Sequence, residues 1–586
     1  MKKKHIVVGI ALASLGLVLP ACGSRELDNY PWNAPREKHQ GQNKEIDDTG
    51  GAGAEDPVAL AKEMKGGMNH VITCQEHNYQ YQRANHIDVY AGYWTVTQNK
   101  FLFGGALPTT YTFPNDYLMG AMSTPSALYP AIRNAYFHGE RLGVPHFKAI
   151  AMILFDFTAQ ELTDIFGPLA FDDMRAVKRF PPRTYISQQE VYKRIFDELD
   201  EASKILRETQ PSSDELAKIE GPRGGISRGD WRNWVKFANS IRLRMAMNIV
   251  KVDPTQARQQ AEKAMSDDIG VFTDKDAYDF TQDRNFCDWV GDNPIWKISV
   301  GWDDLRLGGS MENIMKRLDN PLIGVWFTKH GNILNANNQS TGYTFEDEGY
   351  IGVRQGIPMI NKSDKLHGYG PYSAASSNMQ NMPLPWIKRT EMLFIMAEAA
   401  LRGWNTPGGA TAQEWYERGI KLSFTENGLT EDDAAKYMER TEPKDIDYVD
   451  PYAGKAHDLK GRVMVGVAWN EADTDEIKLE KIITQKYMAV FPCSAPTWTT
   501  FRRTGYPRLF PVYINNWRGV DGELQLRRIP YVENPNNAEE LKTLPALLGG
   551  PNEGSTRLWW DVPTETITDI PGDDLAKSKR REPKNF

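Results

Sequence analysis

Cysteine is scarce: the 586 residues contain four, Cys22, Cys74, Cys287 and Cys493. A fold stapled by disulfides needs a denser, paired set, so the core must supply the stability of this chain. The patterns that announce catalysis are missing too, with no H-E-x-x-H, Walker loop, G-x-G-x-x-G or C-x-x-C. Positive charge is not in excess. A net charge of -8 and a pI near 5.8 offer no general attraction to phosphate backbones, which argues against a nucleic-acid partner. The one basic cluster, Lys577, Lys579, Arg580, Arg581 and Lys584, lies in a proline-containing tail and reads as a solvated end. Long apolar runs are wanting after residue 19, and the mean hydropathy of -0.54 excludes a multi-span membrane protein.

The one apolar run, Ile6 to Leu19 behind Lys2, Lys3 and Lys4, is about 14 residues long. That length suits a signal-peptide core and falls short of the roughly 20 residues of a spanning helix. The run ends in Leu19, Pro20, Ala21 and Cys22, an order that resembles the bacterial lipobox, although Pro20 departs from the small residue usual there. The plainer reading is an ordinary signal peptide whose cleavage site contains Cys22. On the lipobox reading Cys22 is lipidated and becomes the first residue of the mature chain. Several acyl chains on it hold an exported protein far more firmly than the single chain whose membrane binding is marginal. We divide the sequence into a lipoprotein signal peptide (1–21), a polar, flexible tether (22–55), one helical domain (56–562) and a tail (563–586).

Within the domain, the 3.6-residue period dominates. Phe147, Ile150, Ala151, Leu154, Phe157, Leu162 and Ile165 recur at three and four, and Gly167-Pro168 stops the run. Ser187 and Glu190 form a capping box ahead of Val191, Ile195 and Leu199. Trp234, Phe237, Ile241 and Met245 share another face. TEMLFIMAEAALRG, closed by Gly403, is followed by Thr411 capping with Glu414 and a helix that stops at Asn427-Gly428. These paired helices are close in length to tetratricopeptide hairpins, although no strict repeat consensus is present. The fold class is therefore all-α, a tetratricopeptide-like helical-hairpin superhelix with long irregular loop insertions. The longest insertion runs from Asp267 to Pro385 and has one clear helical stretch, Met311 to Leu318. Loops of that size are usually functional, because a rigid scaffold presents them.

Two motifs tempt. GISRG, Gly225 to Gly229, matches the G-x-S-x-G nucleophile elbow but lacks the preceding strand. Ser227 or Asp230 reads better as the cap of the Trp234 helix. His70, Cys74 and His77 are spaced to share one face of a helix, yet no carboxylate or second cysteine closes a metal site. We assign neither catalytic residues, metal nor cofactor. Aromatic residues make up 11% of the chain, including 16 Trp, and large flat side chains suit both cores and stacking on sugar rings or peptide groups.

Five stretches, FKAIAMILFDFTAQELTDIFGPLAF, SQQEVYKRIFDELDEASKIL, WVKFANSIRLRMAMNI, EMLFIMAEAALRG with EWYERGIKLSF, and ITQKYMAVFPCSAPTWTTFRRTGYP, together with RRIPY and LWWD, resemble the SusD/RagB family. The resemblance spans residues 56 to 562 and implies an outer-membrane lipoprotein of Bacteroidetes, anchored through Cys22 and facing the cell exterior. Glu26 and Asp28 are similar to the acidic export signals of such proteins. Its implied role is to capture oligosaccharides, or peptides, for a SusC-like TonB-dependent transporter without hydrolysing them. Arg502, Arg503, Tyr506, Trp559 and Trp560 then belong to the scaffold. The ligand-binding candidates are loop aromatics: Tyr93, Trp94, Trp289, Trp296 and Trp302. The rival readings are a surface hydrolase on a helical scaffold, which needs converging carboxylates, and a helical-repeat adaptor that binds only protein.

Overall fold

The computed structural model describes residues 55–97, 110, 120–178, 182–221, 225–282, 291–334, 339–344, 349–357, 359, 368–517, 519–520, 522–569 and 579–586. Cys22, Trp289 and the signal and tether segments lie outside them, apart from Glu55. Twelve helices carry the frame: α1 (Pro57–Met68), α2 (Ser123–His138), α3 (Pro145–Phe166), α4 (Gln188–Thr209), α5 (Arg232–Asn248), α6 (Pro254–Ser266), α7 (Gly309–Leu318), α8 (Arg389–Leu401), α9 (Ala412–Thr425), α10 (Glu431–Met438), α11 (Asp475–Ala489) and α12 (Ser494–Thr504). Most pack in series: α1 on α2, α2 on α3, α3 on α4, α4 on α5, α5 on α6 and α8, α8 on α9, and α9 on α10. α11 closes against α8, and α12 against α3. This is the helical-hairpin superhelix that the sequence predicts.

Local chemistry sets the helix ends. Ser187 caps α4 by accepting from the Glu190 amide at 3.2 Å, but the Glu190 side chain accepts from Arg194 instead of closing the expected box. Thr411 forms a reciprocal capping box with Glu414 at the start of α9. α5 differs from expectation. Its N-cap is Trp231, whereas Asp230, one residue earlier, accepts from the Arg232 amide at 2.9 Å. α3 and α8 are buried nearly all round, as expected of helices at the centre of a stack. Phe157, Phe237, Phe280 and Trp386 meet there, with the Phe237 and Phe280 rings stacked at 4.4 Å.

The long insertion is less irregular than its composition suggests. β1 (Trp94–Val96) pairs antiparallel with β3 (Leu305–Leu307), and β2 (Phe280–Gln282) with β4 (Leu384–Ile387). These three- and four-residue ladders join segments far apart in sequence, which no local period reveals. A separate small core of Ile333, Ile351, Val353, Ile357, Met359, Tyr369 and Tyr372 stabilises the lobe they carry.

The tail also departs from the sequence reading. β5 (Thr566–Asp569) and β6 (Lys579–Glu582) form an antiparallel ribbon, so Lys579, Arg580 and Arg581 lie on a paired strand. Beyond it, the Asn585 amide donates to Glu476 at 2.6 Å, and its side chain donates to Glu476 and to the Thr504 carbonyl. The final residues are docked rather than free.

Candidate functional site

The aromatic candidates divide into core and surface. Tyr93 and Trp94 are 0% and 1% exposed. The Tyr93 hydroxyl donates to the Tyr487 carbonyl at 2.6 Å, and Trp94 packs edge-on to Phe327 at 5.3 Å. As stacking surfaces both are corrected: β1 runs beneath the loops, and rings contributed from residues 327 and 487 to 491 cover it. Their work is to seat β1, whose partner β3 leads back to Trp302.

Trp296 and Trp302 are partly exposed and pack against the main core. Asn293 begins the short helix Pro294–Trp296 by accepting from the Ile295 amide at 2.9 Å, and its side-chain amide anchors to the Met382 carbonyl at 2.8 Å. A single π-turn, Lys297–Gly301, follows and delivers Trp302, whose amide donates back to the Lys297 carbonyl at 3.0 Å. A second π-turn, Gln80–Ala84, lies opposite, directly after the short helix Glu76–Tyr79. The two are tied together: the Gln80 side chain donates to Asp304 at 2.8 Å, and the Thr97 amide donates to the Asp304 carbonyl at 3.1 Å. Single π-turns within helices are costly and concentrate at functional positions.

The tie brings His77 to Trp302, with their rings at 6.4 Å and 66°, while Tyr81 meets the other side of His77 at 5.0 Å and 78°. Val300 is exposed at the rim, as are Gln75 and Asn78. The result is an angled pair of partly exposed rings, Trp302 and His77, backed by buried Tyr81 and with the exposed amides of Gln75 and Asn78 near by, suited to an amphipathic ligand that presents an apolar face and a set of hydroxyls. Sequence reasoning missed Gln80 and Asp304 and counted His77 only as a metal candidate. No local pattern marks a glutamine that pairs with an aspartate more than two hundred positions away.

Helix α1 ends at Met68 and the next helix begins at Glu76, so His70 and Cys74 do not share a helical face with His77. Among the described residues no three His, Cys, Asp or Glu side chains cluster as a metal site. Ser227 is fully buried. Its backbone amide donates to Glu220 at 2.8 Å, and its hydroxyl accepts from the Gly229 amide at 3.2 Å, so GISRG is a closed turn. Arg502, Arg503, Tyr506 and Trp560 are buried, with Arg503 paired to Glu398, and serve as scaffold.

Stacked helical hairpins that support a loop-borne aromatic surface define a class of tetratricopeptide-like binding scaffold. A family model described as SusD-like, Susd and RagB outer membrane lipoprotein, matches residues 43–561, and the chain belongs to that family. A chitin-binding SusD homolog from Flavobacterium johnsoniae is 33% identical, with 86% of this chain and 99% of that one covered at a TM-score of 0.74. A SusD homolog from Bacteroides vulgatus is 26% identical, covering 86% and 98% at 0.74. A SusD-like protein from Bacteroides thetaiotaomicron is 26% identical, covering 86% and 99%, also at 0.74. Among curated proteins none matches the chain. No helix among the described residues is long and apolar enough to cross a membrane.

Proposed function

We propose that this chain is a cell-surface lipoprotein, anchored through Cys22, that captures an oligosaccharide on the Trp296–Trp302 surface and delivers it to a SusC-like TonB-dependent transporter without cleaving it. The observation that carries the reading is the pair of π-turns locked by Gln80 and Asp304, which presents Trp302 and His77 as one rigid edge. A rigid aromatic platform loses little entropy on binding, so stacking energy is retained as affinity. Family membership and the 33% identical chitin-binding homolog favour a glycan over a peptide.

The test is calorimetry and Trp fluorescence on the mature domain with chitohexaose and a panel of other glycans, together with product analysis. Saturable binding without new reducing ends, weakened about fivefold or more by Trp302→Ala, is the expected result, in line with a stacking contribution of roughly 1 kcal/mol or above. New reducing ends, or binding to peptides and to no glycan, overturns it.

A further inference from the structure

A second recess shares no lining residue with the aromatic surface. It is a solvent-open groove of about 610 Å³ between the C-terminal end of α7, the turn that follows it, Tyr350 and α10. That volume is within the roughly 300–1,000 Å³ of small-molecule sites. Among the described residues, four cations line it, Lys316, Lys436, Arg440 and Lys444, against two carboxylates, Asp319 and Asp433. On a chain whose net charge is -8, these described lining residues carry a net positive charge.

Both acids are already engaged. Asp319 sits in the left-handed conformation at the end of α7, at a φ of 58°, and holds Arg440 at 2.7 Å and Lys444 at 2.6 Å. Those two cations keep its carboxyl below the usual range, with Lys444 the larger influence. Asp433 closes the capping box of α10 with Thr430. Lys316 pairs with buried Glu312 at 2.7 Å, and counting that partner still leaves a positive surplus. Lys436 is exposed and makes no ion pair among the described residues. Beside these charges stands the half-buried ring of Tyr350, seated against Gly324, where a Cβ would come within 2.8 Å of its hydroxyl.

We propose that this groove is a second saccharide site, selective for a sugar that carries an anionic group, either a carboxylate or a sulfate ester. Tyr350 supplies the stacking face. Asp319 orients Arg440 and Lys444, and Lys436 supplies the unspent charge. A guanidinium and an ammonium held a few ångströms apart match the oxygens of either group. The site goes beyond the proposed capture surface and uses none of its residues, so the two succeed or fail separately.

The experiment is calorimetry on the mature domain with trigalacturonate, a sulfated galactose trisaccharide and uncharged galactotriose, with a hexaglutamate peptide as comparator. Binding of at least one anionic trisaccharide is expected, at least tenfold tighter than galactotriose. It should weaken at least tenfold in Lys436→Gln/Lys444→Gln and on raising salt from 0.05 to 0.5 M, because exposed charges are screened beyond about one Debye length. Trp302→Ala should leave it unchanged. Both lysines are exposed, so the double variant should keep the wild-type melting temperature. Which anionic trisaccharide binds distinguishes the carboxylate from the sulfate ester. Binding of neither, equal binding of galactotriose, no effect of the double variant, loss in Trp302→Ala, or preference for hexaglutamate overturns the proposal.

Discussion

Arg503 and Glu398 face each other as a bidentate ion pair, at 2.7 and 2.6 Å, with both side chains 1% exposed. The pair joins α12 to α8, one of the two helices at the centre of the stack. Arg402, the residue that caps the end of α8, adds further contacts to Glu398 at 3.1 and 2.9 Å.

Removing one partner strands the other. We expect Glu398→Gln to destabilise the domain by about 3–5 kcal/mol, and Glu398→Met/Arg503→Met to recover much of that loss. Urea unfolding of the single and double variants is the check; equal losses in both would contradict it.

The same pair fixes an acid limb. Burial alone would raise the Glu398 carboxyl, but Arg503 and Arg402 override it and hold the group at about 2, below its ordinary 4.5. The group is depressed in the folded state, so its contribution, about 3 kcal/mol, is present above pH 4.5 and is lost as pH falls toward 2. The stability difference between wild type and Glu398→Gln should therefore shrink through that window.

Glu220 has the opposite sign. Burial lifts its carboxyl to about 7, against the lowering hydrogen bonds from Trp234 and Ser227. A raised carboxyl contributes fully below its ordinary 4.5, and that contribution is lost as pH rises through 7. Relative to Glu220→Gln, which keeps a carbonyl acceptor, the wild type should lose about 2–3 kcal/mol between pH 4.5 and 8, read from chemical unfolding at stepped pH.

On the proposed reading, Gln80 positions the aromatic surface through its bond to Asp304. Gln80→Ala removes the donor to Asp304 and releases one π-turn from the other. We expect glycan affinity to fall about tenfold while Gln80→Glu at pH 4 recovers part of it, because a protonated carboxyl donates where the amide did. A melting shift with unchanged affinity would show a merely structural role.

Gly466 has no room for a side chain, since a Cβ there would overlap the Thr441 carbonyl. The Val467 and Ala468 amides both donate to the Arg440 carbonyl, at 2.7 and 2.8 Å, and so pin the backbone. Gly466→Ala should cost about 1–3 kcal/mol by thermal unfolding.

Much of the frame was legible. The period of α3, the Ser187 cap of α4 and the Thr411–Glu414 box of α9 all stand where the residues placed them, because each depends on neighbours within one or two turns. The site was legible only in part. Trp296 and Trp302 are partly exposed, but Tyr93 and Trp94, chosen by the same criterion, are buried. Trp289 lies outside the described residues.

Residue order alone determined the all-α class, the hairpin pairing and the family, since helical period and caps are short-range properties written in consecutive side chains. Tertiary structure alone decided which aromatics reach solvent, that Gln80 meets Asp304, that Ser227 closes a turn on Glu220, and that the basic tail returns to dock on Glu476. The exposure of a ring is set by whatever packs over it, and in this chain the covering residues come from segments hundreds of positions away.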